Sequence, residues 1–126
     1  MPYSHIIDNI YLGDIFSSND KTLLNQVQQI ISLCPNNFNY PNHIHIKYDI
    51  EDNETENIIE ICKNIYPKLN IPTLIHCQAG RSRSASVIIY YIMKKYNCDF
   101  EKAHDFVNSK KSIGLNNGFK QQLSLI

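Results

Sequence analysis

The residues of this sequence best suited to chemistry lie in one short segment that runs from Cys77 to Ser84. An apolar stretch leads into the cysteine, a loop of small and polar residues follows, and Arg83 stands at the start of a long apolar run. A strand, a loop and a helix N-terminus in this order bind anions, because loop N–H groups converge and the helix dipole adds partial positive charge. A thiol and a guanidinium placed there suit a phosphate group that sulfur can attack.

Cys77 is predicted to be the nucleophile of such a reaction. A helix N-terminus and nearby cations favour the thiolate, which is the reactive form of cysteine. The alternative is an inert buried thiol, the usual state of a lone cysteine. The small and polar residues that follow Cys77 are not core formers, and they favour the nucleophile. The three remaining cysteines occupy predicted core or turn positions and are assigned no chemistry: Cys34, Cys62 and Cys98.

Three residues around Cys77 are predicted to assist it. The planar guanidinium of Arg83 can hold two phosphate oxygens at once, whereas an arginine at a helix start is unfavourable without an anion nearby. The Ser84 hydroxyl is expected to hydrogen-bond the sulfur and help it leave. His76 precedes the loop, so we expect it to orient the loop through hydrogen bonds rather than to act as a base.

Cleavage of a phosphate ester also needs an acid that protonates the leaving oxygen, a contribution of about 10²–10⁴-fold. Five candidates lie together in an acidic loop: Asp49, Glu51, Asp52, Glu54 and Glu56. For most of them a solvated turn before a helix is the simpler interpretation, since carboxylates favour a helix N-terminus.

The composition predicts a single globular domain over residues 1–126. Of the 126 residues, 43% are hydrophobic and 19% are charged, and the formal net charge is zero. A chain of this length buries one core and is too short for two. Without a net charge there is no global field to attract nucleic acid, so any anion preference is local and no nucleic-acid partner is expected. We expect a monomer.

Several sequence features bear on the compartment. No apolar run reaches the roughly 20 residues that a membrane span needs. The N-terminal residues lack the charged and apolar segments of a signal peptide. The four cysteines are widely separated, which disfavours structural zinc and disulfides and favours a reducing compartment. We therefore expect an intracellular and most simply a cytoplasmic protein with no membrane span.

Strands are predicted where apolar or alternating runs stand between turn residues. The run before Cys34 is continuously apolar, which is typical of a strand buried on both faces. The run that starts at His43 alternates, which indicates a wetter strand nearer an edge. The predicted strands are Ser4–Ile7, Ile10–Leu12, Gln29–Cys34, His43–Tyr48 and Thr73–His76.

Helices are predicted where apolar side chains recur at three and four residues. The predicted helices are a short one carrying Leu23 to Val27, one from Glu56 to Tyr66, a nearly all-apolar one containing Ala85–Met93, one capped by Asp99, and a last one that starts near Asn117. Strands and helices in this arrangement predict an α/β domain in which a small sheet is covered by helices.

The segment His76–Ser84 resembles the His-Cys-x5-Arg-Ser/Thr loop of the cysteine-based protein phosphatases, and its Ala-Gly-x-Ser-Arg-Ser form is similar to the dual-specificity branch. Three further segments resemble that family's opening strand, general-acid loop and final helix: Ile10–Gly13, Ile50–Asn53 with Ile58, and Asn116–Leu123. The resemblance implies a protein tyrosine phosphatase-like α/β fold of dual-specificity type. Its sheet is expected to be small, mixed and centrally parallel, and covered by helices.

The resemblance also assigns roles. Cys77 is implied as the nucleophile, Arg83 as the phosphate clamp, Ser84 as the residue that assists breakdown of a phosphocysteine, and Asp52 as the general acid. Asp52 is preferred over Asp49 because it keeps the family's spacing to Ile58. The implied phosphate cradle consists of the backbone N–H groups of Gln78, Ala79, Gly80, Arg81, Ser82 and Arg83. The family needs no metal, so no metal and no cofactor are expected, and the implied substrate is a phosphoprotein.

Three features depart from the family pattern. The helix before the loop ends early, at Pro67; the chain begins almost at its first strand, so an N-terminal helix for substrate contact is expected to be absent; and Arg81 occupies a position that is usually apolar. An additional cation favours more anionic substrates, unless Arg81 points to solvent or pairs with an acid. The alternatives to a protein phosphatase are therefore a phosphatase for phosphoinositide or RNA 5′ phosphates, and a non-catalytic phosphate-binding module.

Overall fold

A five-stranded sheet forms the centre of the fold in this computed structural model, which describes residues 2–126. The strands are, in chain order, β1 (Tyr3–Ile7), β2 (Ile10–Gly13), β3 (Gln29–Ser32), β4 (Ile44–Lys47) and β5 (Thr73–His76). They lie in the order β1-β2-β5-β3-β4, in which β1 and β2 are antiparallel and the other neighbouring pairs are parallel. The prediction of a mixed, centrally parallel sheet is confirmed.

Helices cover this sheet, as predicted. Within residues 2–126 they are α1 (Lys21–Leu24), α2 (Ile58–Ile65), α3 (Arg83–Tyr96), α4 (Phe100–Lys110) and α5 (Asn117–Ser124), with short 3₁₀ turns at Ser17–Asn19 and Tyr66–Lys68. Helices α2 and α5 pack against α3, and α3 packs against β2 and β5. None of the helices within residues 2–126 has both the length and the apolar character that crossing a membrane requires.

Helix α3 is the most deeply buried of these helices, as its apolar sequence predicts. All of residues 84–93 are buried, and Lys94 and Lys95 lie in the last turn, where cations suit the helix dipole. Each aliphatic side chain removed from water contributes about 1.5–3 kcal/mol. The burial of Val87, Ile88 and Ile89 therefore fixes the helix firmly, and with it the position of the helix N-terminus at Arg83.

The sheet is buried on both faces at its centre. In β3, Ile31 belongs to the main core shared with α2 and α3, whereas its neighbour Ile30 belongs to a smaller core that includes Leu23 of α1. Successive side chains of a strand point to opposite faces, so this alternation places a core on each side. Strand β4 forms an edge of the sheet, and its side chains are exposed or half-buried, as its alternating sequence predicts.

Some predicted boundaries are wrong by two or three residues, each for a local reason. Strand β3 ends at Ser32 rather than Cys34, because Pro35 has no N–H with which to extend the ladder. Helix α1 ends at Leu24 because Asn25 is its C-cap, and Val27 packs in the smaller core beyond it. One more helix begins inside its predicted limits: α2 begins at Ile58, after its capping residue Asn57.

The central strands end at one level of the sheet. His76 at the end of β5 is in register with Gly13 of β2 on one side and with Ser32 of β3 on the other. The segments that follow these three strands therefore leave the sheet at the same edge. In α/β sheets the carboxyl ends of parallel strands are where ligands bind.

A buried polar network fixes the end of β5. The Ser32 Oγ lies 2.6 Å from the His76 Nε2 and 2.8 Å from the His45 Nε2. The Asn36 Nδ2 lies 3.2 Å from the same His76 nitrogen and donates to the Tyr40 Oη at 2.8 Å. The network thus joins three strands and the loop after β3 to the residue that precedes Cys77.

His76 is held neutral in this network. The Asn36 Oδ1 accepts from the Phe38 N–H, so the Asn36 Nδ2 donates to the His76 Nε2 and the ring proton lies on Nδ1, 3.4 Å from the Cys77 carbonyl oxygen. Burial lowers the pKa of His76 to about 4 from its usual 6.5, because the charged ring is poorly solvated there.

Because His76 is neutral in the folded chain, we expect the free energy of unfolding to fall as the pH is lowered. The pKa of His76 is about 4 in the folded chain and 6.5 in the unfolded chain, so the unfolded chain binds this proton first as the pH falls. The stability that neutral His76 contributes is complete above pH 6.5 and is lost between about pH 6.5 and pH 4. Between pH 7 and pH 5 the loss amounts to about 2 kcal/mol.

Urea unfolding of the wild-type chain and of His76→Gln at pH 7 and pH 5 measures this contribution, because the other histidines are common to both. The prediction would be contradicted if, between pH 7 and pH 5, the wild-type chain lost no more stability than His76→Gln. If His76→Gln does not fold, an NMR titration of the wild-type ring gives the same answer: the His76 ring is expected to stay neutral at pH 5.

Candidate active site

The loop between β5 and α3, residues 77–82, is called the Cys77 loop below. It starts directly after His76 and ends at Arg83, the first residue of α3. A cavity of about 340 Å³ lies over this loop and is lined by Asp52, Cys77, Gln78, Ala79, Arg81, Ser82, Arg83 and Gly114. The structure thus brings the predicted nucleophile, both arginines of the segment and the preferred acid to one cavity.

Four of the six carbonyl oxygens of the Cys77 loop accept hydrogen bonds from surrounding segments. The donors come from the loop after β2, from the chain between α4 and α5, and from α3 itself. The four bonds run from Ile15 N to Gln78 O (3.1 Å), from Lys111 Nζ to Gly80 O (3.1 Å), from Gly114 N to Arg81 O (2.9 Å) and from Ser86 N to Ser82 O (2.9 Å). These bonds hold the carbonyl groups away from the cavity.

The N–H groups of the same loop have no such partners. None of the five N–H groups of residues 78–82 donates a hydrogen bond to another group within residues 2–126. A buried or half-buried N–H without a partner is unfavourable, and successive N–H groups of this kind bind anions. The predicted phosphate cradle therefore has the backbone arrangement that anion binding requires.

Gly80 is required by the shape of the loop. Its φ is +68°, a backbone conformation that side chains other than glycine rarely adopt. A Cβ at this position would lie 2.7 Å from the carbonyl oxygen of Gly13 at the end of β2. Both the conformation and the close approach exclude a larger residue.

The Cys77 sulfur lies at the floor of the cavity. The side chain is 2% exposed, and its Sγ is 3.0 Å from the Oγ of Ser84, which is fully buried in the first turn of α3. The distance is that of a hydrogen bond to sulfur, as predicted for Ser84. Two neighbouring serines have structural contacts: Ser82 Oγ accepts from the N–H of Asn116, and Ser86 Oγ donates to the Ser82 carbonyl.

The Arg83 guanidinium joins the Cys77 loop to the acidic loop. Its Nη1 donates to the carbonyl oxygen of Ile50 at 3.1 Å. Its Nε is buried and has no hydrogen-bond partner within residues 2–126. An unsatisfied buried donor costs about 1–3 kcal/mol. An anion in the cavity would provide the acceptor, as expected for a phosphate clamp.

Of the acidic loop, Asp52 is the carboxylate that lines this cavity. It is exposed, and its Oδ1 accepts from the Nδ2 of Asn116 at 2.8 Å. Asp49 and Glu51 instead line a neighbouring cavity of about 440 Å³ that also contacts Gln78 and Arg83. The position of Asp52 agrees with the preference for it over Asp49.

Asn116 links the acid to the loop, a role that its sequence context did not predict. Its Oδ1 caps α5 by accepting from the Phe119 N–H, its Nδ2 donates to Asp52, and its N–H donates to Ser82 Oγ. A lone asparagine before a helix indicates a capping residue. Only its place in the resemblance to the family's final helix pointed to this segment.

The remainder of α5 supports the acidic loop. The Gln122 side chain accepts from the Ile58 N–H at 3.0 Å and donates to the Glu56 carbonyl at 2.9 Å. A Cβ added to Gly118 would overlap the Glu54 carbonyl oxygen, so the helix and the loop backbone are in direct contact. These contacts help to fix the position of Asp52 relative to the Cys77 loop.

Arg81 is exposed at the rim of the cavity. Its guanidinium lies against Gly114, where an added Cβ would be 3.1 Å from Nη2. It forms no ion pair with any acid among the residues the structure describes. The sequence was compatible with an ion pair between Arg81 and an acid, and no such pair forms within residues 2–126.

The groups around the cavity suit an anion. Across residues 2–126 no three His, Cys, Asp or Glu side chains come close enough to ligate a metal together. The cavity combines free N–H groups, two guanidinium groups and one thiol.

The model of the dual specificity phosphatase catalytic domain family matches residues 10–126. Human protein phosphatase Slingshot homolog 1 is 32% identical over 137 aligned residues, which cover 96% of this chain and 13% of that protein. The tyrosine-protein phosphatase yvh1 of Schizosaccharomyces pombe is 29% identical, over 95% of this chain and 40% of that protein. This chain thus spans less than half the length of these two relatives.

A solved structure shares both fold and sequence with this chain. The human tyrosine phosphatase-like serine/threonine/tyrosine-interacting protein superposes with a TM-score of 0.87 and 27% identity, over 96% of this chain and 92% of that one. The family match, these relatives and the geometry of the Cys77 loop agree. This chain belongs to the dual specificity phosphatase family, and residues 10–126 match that family's catalytic domain.

Proposed function

We propose that this protein hydrolyses phosphotyrosine and phosphoserine/threonine in protein substrates through a phosphocysteine intermediate. One observation carries the proposal: the N–H groups of residues 78–82 and the Arg83 Nε have no hydrogen-bond partner within residues 2–126, and the Cys77 loop and Arg83 line one cavity together with the Cys77 thiol. Charge-assisted hydrogen bonds to phosphate oxygens satisfy donors of this kind. The protein phosphatases among its relatives support the class of substrate.

In the first step the Cys77 thiolate attacks phosphorus while the loop N–H groups and Arg83 hold the three non-bridging oxygens. The P–S bond forms as the bond to the substrate oxygen breaks. Asp52, protonated, donates its proton to the leaving oxygen. Donors that are already in place stabilise the transition state without further reorganisation, which is the most effective form of electrostatic catalysis.

In the second step a water molecule attacks the phosphocysteine. Asp52, now a carboxylate, takes the proton of this water, and inorganic phosphate is released. The P–S bond breaks and returns the electron pair to sulfur. The Ser84 Oγ, 3.0 Å from the Cys77 sulfur, donates a hydrogen bond to the thiolate as it leaves.

A non-catalytic phosphate-binding module is the competing function. The similar human structure is named as phosphatase-like and as an interacting protein, so the fold alone does not decide between them. The presence of Cys77, Arg83 and Asp52 at one cavity favours catalysis. Absence of turnover of p-nitrophenyl phosphate under reducing conditions would favour the binding module.

The substitution Cys77→Ser is expected to abolish turnover and to preserve binding. Serine lacks a reactive thiolate, and the rate should fall on the order of 10³-fold or more. The N–H cradle and Arg83 remain, so a phosphotyrosine peptide should still bind in a calorimetric titration. Cys98→Ser, at a half-buried cysteine outside the cavity, is the matched control and should keep its activity. Substantial turnover by Cys77→Ser would exclude this nucleophile.

The substitution Asp52→Asn is expected to slow poor leaving groups most. An alkyl phosphate such as a phosphoserine peptide needs the proton, and kcat/KM should fall about 10²–10⁴-fold. p-Nitrophenyl phosphate has a good leaving group and should be affected far less. Asp49→Asn is the control and should leave both rates near wild type. Equal slowing of both substrates by Asp52→Asn would assign the acid to another residue.

The substitution Gly118→Ala is expected to act on the same step from a distance. Its Cβ would overlap the Glu54 backbone, so α5 or the acidic loop must shift and Asp52 moves with it. A shift of this kind should lower kcat for the phosphoserine peptide by about tenfold or more. Gln121→Ala, at an exposed position of the same helix, is the control. A uniform loss for good and poor leaving groups would indicate a general folding defect instead.

A further inference from the structure

The neighbouring cavity of about 440 Å³ adjoins the one over the Cys77 loop, and it is called the side cavity here. It is lined by Cys34, Pro35 and residues 47–51. Gln78 and Arg83 line both cavities, so the two share a wall. Its volume lies in the range of pockets that bind small groups. A substrate held at Cys77 therefore has this cavity directly beside it.

The side cavity is apolar where its lining is buried and charged where its lining is exposed. Cys34 and Ile50 are each 4% exposed, and Tyr48 is half-buried. Burial raises the pKa of the Cys34 thiol, so this side chain stays protonated and packs as a small apolar group. Three charged residues of the lining are exposed and form its rim: Lys47, Asp49 and Glu51. Pockets for apolar groups have this construction.

Polar groups along this lining already have partners in the protein. The Tyr48 N–H donates to the Ser32 carbonyl at 2.9 Å, and the Tyr48 hydroxyl donates to Asn64. The Ile50 carbonyl accepts from the Arg83 Nη1. The Cys77 loop differs, because the N–H groups of residues 78–82 have no partner within residues 2–126. The Cys77 loop therefore suits an anion, whereas the side cavity suits an apolar group.

We propose that the side cavity binds an apolar side chain of the protein substrate while the Cys77 loop holds the phosphate. This inference rests on the proposed function and narrows its substrates to phosphoproteins that carry an aliphatic or aromatic residue near the phosphorylated one. Cys34, Tyr48 and Ile50 contact that side chain. An extended peptide advances about 3.3–3.6 Å per residue, so the apolar residue lies within about three positions of the phosphorylated one.

The charges around the side cavity do not favour a charged side chain in its place. Lys47 and Arg83 are positive and Asp49 and Glu51 are negative, so the four formal charges cancel. An arginine or a glutamate of the substrate would meet one like charge for each opposite one. Attraction between exposed charges is also weak, because water screens it. Burial of an apolar side chain is therefore the larger effect.

The charge of Arg81 acts on another part of the substrate. Arg81 lines the cavity over the Cys77 loop but not the side cavity. The apolar contact and this charge can therefore be measured separately.

A set of phosphopeptides tests the proposal. Each carries one phosphotyrosine flanked by alanines, and leucine replaces one alanine at a time on either side. We expect one position at which leucine raises kcat/KM about tenfold over alanine, the order expected for partial burial of its side chain. Arginine and glutamate at that position should give values near that of alanine.

Two substitutions locate the effect, which is the ratio of kcat/KM between the leucine and the alanine peptide. Tyr48→Ser removes the aromatic part of the lining, and Pro35→Asp places a carboxylate in it. Each should lower the ratio towards one. Tyr48→Phe retains the ring, so its ratio should exceed that of Tyr48→Ser. If Tyr48→Ser does not fold, Pro35→Asp carries the test.

Two further variants are controls for this ratio. Tyr11→Ser removes a half-buried tyrosine of β2 that lines neither cavity. Asp49→Asn removes a charge from the exposed rim and leaves the apolar lining as it is. Both should keep the wild-type ratio.

Three results would overturn the proposal. They are equal kcat/KM values for leucine and alanine at every position, a leucine preference that both Tyr48→Ser and Pro35→Asp leave intact, and a higher kcat/KM for arginine or glutamate than for leucine at the preferred position.

Binding separates this proposal from the proposed function. Calorimetric titration of Cys77→Ser with the leucine and alanine peptides needs no turnover. If the wild-type chain hydrolyses neither peptide, the proposed function fails. Tighter binding of the leucine peptide to Cys77→Ser, lost on adding Pro35→Asp, would still support the side cavity. Equal affinities would overturn it.

Discussion

The outward hydrogen bonding of the carbonyl groups in the Cys77 loop is the constraint on which the site depends. Each peptide unit presents a carbonyl on one side and an N–H on the other. The oxygens of Gln78, Gly80 and Arg81 accept from Ile15, Lys111 and Gly114, whereas the N–H groups of residues 78–82 have no partner within residues 2–126. Each such bond contributes about 0.5–1.5 kcal/mol. Together they maintain a row of donors that would otherwise turn towards water, and this preorganisation is what an anion site needs.

A second constraint couples this loop to the acid. Asn116 bonds to Ser82 on one side and to Asp52 on the other while capping α5. Arg83 adds a second link between the same two loops through the Ile50 carbonyl. The thiol and the carboxylate come from segments 25 residues apart, yet both line one cavity. Displacing α5 should therefore affect proton transfer before it affects phosphate binding.

Local sequence predicted much of this arrangement. The apolar run before Pro35 predicted a central strand, and the alternating run from His43 predicted an edge strand. The apolar stretch after Arg83 predicted a buried helix. These predictions succeeded because the periodicity of apolar residues depends directly on which side chains are buried. Asp99 was predicted as a cap, and it caps α4. The groups that support the site were not predictable. Lys111, Gly114 and Asn116 act on the Cys77 loop from about 30 residues away, and their types indicate only a surface lysine, a turn and a cap.

The two arginines of the segment Cys77–Ser84 differ in a way that separates reaction from selectivity. Arg83 lies on the first turn of a buried helix, is half-buried and is bonded to Ile50, so its position is set by the fold. Arg81 lies on the rim, is exposed and is unpaired among the described residues, so its charge is available to whatever approaches. In a chain of zero net charge there is no long-range steering. Substrate choice must then depend on charges within about a Debye length of the cavity, roughly 8 Å in physiological salt. Arg81 is such a charge, and it can change without disturbing the groups that hold the phosphate.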